Sequence, residues 1–109
     1  MVIVEGLRDK DSLKEAGVNC RVLTYGNGAE ALAEKAVAQG TKSVVLLFDF
    51  DEEGERKMNE VECAFRLRGI KADREIRRKL RHVLGLCFFE EFSSRYVKFM
   101  EEFEKRVET

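Results

Sequence analysis

At 109 residues the chain bounds itself to one domain, able to bury about two-thirds of the surface its unfolded form exposes. Hydrophobic residues make up 44%, enough for a core, and charged residues 38%, against ~25% in typical proteins, yet the formal net charge is only -1. No bulk field names a partner, no apolar run approaches the ~20 residues of a membrane span, and Cys20, Cys63 and Cys87 are too scattered for a zinc site or a disulfide framework. The cysteines read as reduced and mostly packed. The chain starts directly on an apolar strand rather than on a secretory signal, so the expectation is a cytoplasmic protein with no membrane contact.

Taken in order, the chain reads strand, helix, strand, helix, strand, helix. Val2–Glu5 is an apolar strand ending in a carboxylate. Asp9 to Gly17 is a helix with acid at its start and glycine as its stop. Cys20–Tyr25 is a second strand, entering the turn Gly26-Asn27-Gly28. Ala29–Gln39 is an alanine-rich helix. Ser43–Asp49 is a third strand, whose run Val44 to Phe48 is continuous enough to be buried on both faces. Glu52–Arg68 is a helix with Met58, Val61, Ala64 and Phe65 as its buried stripe. Ile70–Ala72 is a short fourth strand. Asp73–Leu84 is a helix, with Ile76, Leu80, Val83 and Leu84 expected against the sheet. Leu86 to Val107 is a terminal helix or helix pair, with an apolar stripe of Phe88, Phe89, Phe92, Tyr96, Phe99, Met100 and Phe103, most of which is expected in the core or as a lid over the sheet. Short apolar strands alternating with helices specify an α/β fold with a mostly parallel four-stranded sheet covered on both sides. Residues 1-85 form that three-layer domain, and residues 86-109 a helical extension packed on it.

The chemistry concentrates where apolar strands end in acid. Asp49 and Asp51 stand one residue apart after Val44 to Phe48, and Glu5 closes Val2–Val4 in the same way. Acids at the end of a buried strand are costly unless something balances their charge. A divalent cation does so, and hard oxygen ligands suit magnesium, with manganese as a substitute. In a parallel sheet both strands deliver their ends to one edge, so Glu5, Asp49 and Asp51 are expected to share one ion. The dull alternative is that Asp51 caps the following helix and Asp9 caps the first. Glu52, Glu53 and Glu55 fall in a first helical turn, where the helix dipole favours acids.

Val4-Glu5-Gly6-x-x-Asp9, followed by Asp49-x-Asp51-x-x-Gly54, resembles the signature of the Toprim domain. That domain is shared by topoisomerases, bacterial primases, OLD-type nucleases, recombination-repair proteins and a 5S ribosomal RNA maturation ribonuclease. The resemblance covers roughly residues 2 to 75, and the turn at Tyr25-Gly26-Asn27-Gly28 fits the glycine-bearing turn after the family's second strand. It implies a Toprim-like, Rossmann-like fold. It also implies magnesium held by Asp49 and Asp51, and Glu5 as general acid or base or as a further ligand. Gly6, Asp9 and Gly54 are implied as supporting residues, with the two glycines letting backbone approach the ligand.

A second constellation follows the fourth strand. Arg74, Arg77, Arg78 and Arg81 recur at helical spacing and fit within about 100° of one face. They are expected to grip a nucleic-acid backbone, RNA or DNA, beside the acidic site. The bland reading is a solvated face. Tyr25 and Tyr96 lack the context of a topoisomerase nucleophile, and His82 reads as a surface residue. The leading expectation is magnesium-dependent phosphodiester chemistry, of nuclease type. A non-catalytic nucleic-acid or partner-binding module is the alternative, and primase-like nucleotidyl transfer a third.

Overall fold

The computed structural model describes the backbone of residues 1–108 and side chains through Val107; Thr109, the last residue of the expected extension, lies outside the described residues. Four short strands pair edge to edge, all parallel. They are β1 (Val2–Val4), β2 (Val22–Thr24), β3 (Ser43–Leu47) and β4 (Lys71–Asp73), in the spatial order β2-β1-β3-β4. Between and after them lie α1 (Leu7–Glu15), α2 (Ala29–Ala38), α3 (Glu52–Arg66), α4 (Glu75–Leu84) and α5 (Phe92–Glu108), with a short 3-10 turn at Phe89–Glu91. Parallel pairing follows from the sequence pattern: each helix carries the chain back so that the next strand runs the same way.

Side-chain alternation along the strands sorts the core into two layers. Ile3, Val44, Leu46 and Phe48 face Leu32, Ala33 and Ala36 of α2 and Met58, Val61, Ala64 and Phe65 of α3. Val2, Val4 and Leu47 face the other way, against Leu13 of α1 and Leu86, Phe89 and Phe92 of the C-terminal segment. The result is a three-layer, Rossmann-like α/β fold. Each fully buried Leu or Phe contributes ~1.5–3 kcal/mol. The C-terminal segment belongs to the second layer, because it supplies three of that layer's buried apolar side chains.

Three expectations need correction. First, α4 presents Arg77, Leu80 and Leu84 inward, while Ile76 and Val83 are 42% and 52% exposed. Hydrophobic periodicity assigned the arginines to solvent. The strand-end carbonyls described below need a donor, and Arg77 supplies it. Second, the terminal aromatic stripe divides. Phe89 and Phe92 are buried, but Phe88, Phe99 and Phe103 are exposed. The layer ends within the first turns of α5, and the remainder of that helix projects past it in a molecule 50 Å along its longest axis. Third, all three cysteines are exposed free thiols rather than packed ones.

Candidate metal centre

Strand order places the centre. The chain leaves β1 towards β2 on one side, and β3 returns to the other, so the β1–β3 seam is the topological switch point where ligands bind in such sheets. Val4 lies in register with Leu47 across that seam. The residues that follow, Glu5 on one strand and Phe48 and Asp49 on the other, therefore emerge side by side at the carboxyl edge.

One carboxylate oxygen each from Glu5, Asp9 and Asp49 lie within 4.8 Å of one another. Glu5 and Asp49 meet as expected. Asp9, expected in a supporting role, completes the tight set instead of Asp51. Its position follows from the helix start: Asp9 is at the third position of α1, and its Oδ2 accepts from the Gly6 N–H at 3.0 Å. That bond turns the carboxylate back towards the strand end. Asp51 caps α3, its Oδ1 accepting from the Gly54 N–H at 2.7 Å. It remains close enough for its charge to act on Glu5.

Gly54 has a steric reason. A Cβ built on it would stand 2.1 Å from the Asp49 carbonyl oxygen and 2.8 Å from the carbonyl carbon. The start of α3 thus packs directly on the Asp49 backbone, and only glycine permits that approach. Gly6 is different. Its φ of -144° is ordinary extended backbone, and nothing lies within 4 Å of where a side chain would begin.

The electrostatics is that of carboxylates crowded away from water. Burial first, then a shared hydrogen bond with Asp49 and the charges of Asp49 and Asp51, push the Glu5 carboxyl up to about 8, against the pull of Lys57. Burial and the Asp49 and Glu90 charges push Asp9 up to about 6, although the Gly6 N–H favours its ionised form. Glu5 Oε1 is buried without a hydrogen-bond donor. Two ionised carboxylates cannot satisfy each other, so that oxygen needs a proton shared with Asp49 or a cation. An all-oxygen donor set with an orphaned buried oxygen fits a hard divalent ion.

Two partners of Asp49 carried little sequence signal. The Phe89 N–H donates to Asp49 Oδ1 at 2.9 Å, and a backbone donor 40 residues away leaves no motif. Arg77 secures the backbone behind the centre. Its Nε donates to the Phe48 carbonyl at 2.6 Å, and its Nη2 donates to the Asp49 carbonyl at 2.7 Å and to Glu55 at 2.8 Å. Phe48 and Asp49 lie beyond the last ladder pair of β3, so their carbonyls have no strand partner, and the guanidinium supplies the missing donors. Arg77 is only 6% exposed. It therefore leaves the expected solvent-facing stripe and becomes part of the scaffold. Arg74 pairs with Glu62 at 3.1 Å, Arg78 pairs with Glu75, and Arg81 lies over the Phe50 ring at 4.8 Å. Glu53, in the first turn of α3, pairs with Arg56. Tyr25 donates to Glu60, Tyr96 packs on Phe92, and His82 is exposed.

Fold and site together define a parallel α/β domain with an acidic centre at its switch point. No protein-family model matches the chain. The chain is similar to the UPF0292 protein of Methanocaldococcus jannaschii, at 35% identity over 80 residues covering 72% of this chain and 62% of that protein. It is also similar to the UPF0292 protein of Pyrococcus furiosus, at 38% over 85 residues covering 76% and 62%. The chain thus spans about three-fifths of the length of the curated relatives it matches. A solved structure of a protein from Aquifex aeolicus has the same fold, with a TM-score of 0.72 and 25% identity, over 84% of this chain and 82% of that one. No helix among the described residues is long and apolar enough to cross a membrane.

Proposed function

We propose that this is a Toprim-like domain that carries out magnesium-dependent phosphodiester chemistry on nucleic acid, of nuclease type. The observation that carries the reading is the convergence of Glu5, Asp9 and Asp49 within 4.8 Å at the switch point, with Glu5 Oε1 buried and orphaned. Glu5, Asp9 and Asp49 would hold the ion, with Asp51 beside them. Magnesium there would offset negative charge developing on a phosphate; manganese would substitute. Asp49 is fixed by the Phe89 N–H on its carboxylate and by Arg77 on its carbonyl, so its oxygens are preorganised. Without the ion the Glu5 carboxyl, raised to about 8, holds a proton at neutral pH that binding the ion would displace; where Asp9 and Asp49 hold the ion without it, Glu5 would serve instead as general acid or base. Basic side chains at Arg74, Arg78 and Arg81 would hold the polyanion beside the acids.

A second reading is a module that binds nucleic acid or a partner without cutting. It is favoured by the capping role of Asp51, which commits one oxygen of the expected ligand pair to the fold. Purified protein separates the two. Labelled single-stranded and duplex RNA and DNA are incubated with magnesium, with manganese, and with chelator. Cleavage that needs metal and is lost in Glu5→Gln supports the enzyme. Retained strands, with binding that survives Glu5→Gln, support the module.

A further inference from the structure

We infer that Lys57 is the cation that meets the phosphate seated on the metal ion of the acidic centre, on the β2 side of that centre and apart from the α4 arginines. This rests on the preceding reading that the centre holds a divalent ion and acts on nucleic acid, and it deepens that reading by adding a substrate-contacting residue. The charges at the centre call for one. Three ionised carboxylates and one divalent ion leave a negative charge, and a phosphodiester brings another. The ion by itself therefore does not make the centre attractive to a strand. Arg77, the buried arginine behind Asp49, is already committed to two carbonyls and to Glu55.

The carboxyl edge of the sheet places Lys57 for this contact. Tyr25 leaves β2 with its N–H on the Val4 carbonyl at 2.8 Å, so it stands beside Glu5. Lys57, three residues beyond Gly54 on α3, carries its Nζ 5.3 Å from the centroid of the Tyr25 ring. That ring is itself fixed. It meets Phe48 edge-on with centroids 6.0 Å apart, and its hydroxyl donates to Glu60 at 3.0 Å. Helical spacing offers Lys57 two acids, Glu53 and Glu60. Arg56 takes both, at 2.8 and 2.7 Å. Among the described residues Lys57 therefore meets no carboxylate within ion-pair distance. It is nevertheless partly buried, and its charge bears on Glu5. An ammonium without an anionic partner, on a rigid aromatic seat beside crowded acids, is open to a phosphate oxygen.

The test reads binding, which keeps it independent of catalysis. Calcium, another hard cation with oxygen ligands, is used to fill the centre. Labelled single-stranded DNA and RNA are titrated by fluorescence anisotropy, in calcium and in chelator, at several salt concentrations. Wild-type protein should bind more tightly in calcium. There Lys57→Gln should weaken binding about tenfold and flatten the slope of log affinity against log salt by about 0.7, the share of one phosphate contact. In chelator the same variant should bind as the wild type does, because the uncompensated acids keep phosphate away. Lys57→Arg, which keeps a charge over the Tyr25 ring, should restore most of the affinity. Equal binding by wild type and Lys57→Gln in calcium overturns the inference and leaves nucleic-acid binding standing. So does an equal loss in calcium and in chelator, which marks a lysine remote from the ion, or an equal loss in Lys57→Gln and Lys57→Arg, which marks packing. Absence of binding by the wild type overturns both the inference and the reading beneath it. With magnesium in place of calcium, Lys57→Gln should slow cleavage at saturating strand at least about tenfold. Binding as expected, with no cleavage by the wild type, supports the Lys57 contact and removes the nuclease reading alone.

Discussion

At the residue scale the account turns on Glu5 and Gly54. Glu5 is raised to about 8 from an ordinary 4.5, and Asp9 to about 6 from 3.8. These shifts run opposite to those of a salt-bridged acid. The folded protein keeps protons that the unfolded chain gives up, so stability without metal falls as pH rises from about 4.5 to about 8. With solvent screening of this partly exposed site counted, the loss is on the order of 1–2 kcal/mol. Melting curves in chelator at pH 5 and pH 8 should show the drop, and Glu5→Gln should flatten it. A melting temperature that rises over that interval would exclude crowded acids. Gly54→Ala should cost about 1–3 kcal/mol, because the new methyl meets the Asp49 carbonyl and the backbone must shift. Chemical denaturation measures that cost, and an unchanged midpoint would remove the steric account of the Asp-x-Asp-x-x-Gly spacing.

At the element scale, α4 carries the main lesson. Its tertiary role is set by one buried guanidinium spanning two strand-end carbonyls and Glu55. Arg77→Met should orphan buried acceptors at about 1–3 kcal/mol each. Arg77→Lys should recover little, because one ammonium cannot reproduce the planar fork over Phe50. Urea titration of the two variants checks this, and full rescue by lysine would show that charge alone matters. Helix spacing put four arginines on one stripe, but spacing does not say whether a stripe faces water. The same limit applies to α5. Its aromatic run is continuous in sequence, yet Phe89 and Phe92 fill the second layer while Phe99 and Phe103 lie outside it. Periodicity gave the helix; where the sheet ends decided which turns it covers. The stripe of α3 was legible throughout, because a central helix over a sheet buries its whole apolar face.

At the scale of the molecule, the alternation of apolar strands and helices was sufficient for a three-layer fold on a parallel sheet, and the acids following β1 and β3 were sufficient to place Glu5 and Asp49 together at one sheet edge. The pairing of Glu5 with Asp49 was readable because both follow strands that the topology makes neighbours. The entry of Asp9 was less so. It depends on a helix-start bond to Gly6 that looks the same in sequence whether or not the carboxylate also reaches a neighbouring strand. The contribution of Phe89 was invisible, since it is made by backbone from the far end of the chain. The cation site proposed for these acids is tested by manganese binding followed by electron paramagnetic resonance. Wild-type protein should bind one weakly held ion at the centre, and Asp49→Asn should weaken it at least about tenfold, or ~1.4 kcal/mol. Glu53→Gln, which removes an acid of the same helix start paired instead with Arg56, should leave the affinity unchanged. No bound manganese, or equal affinity in wild type and Asp49→Asn, would contradict the account.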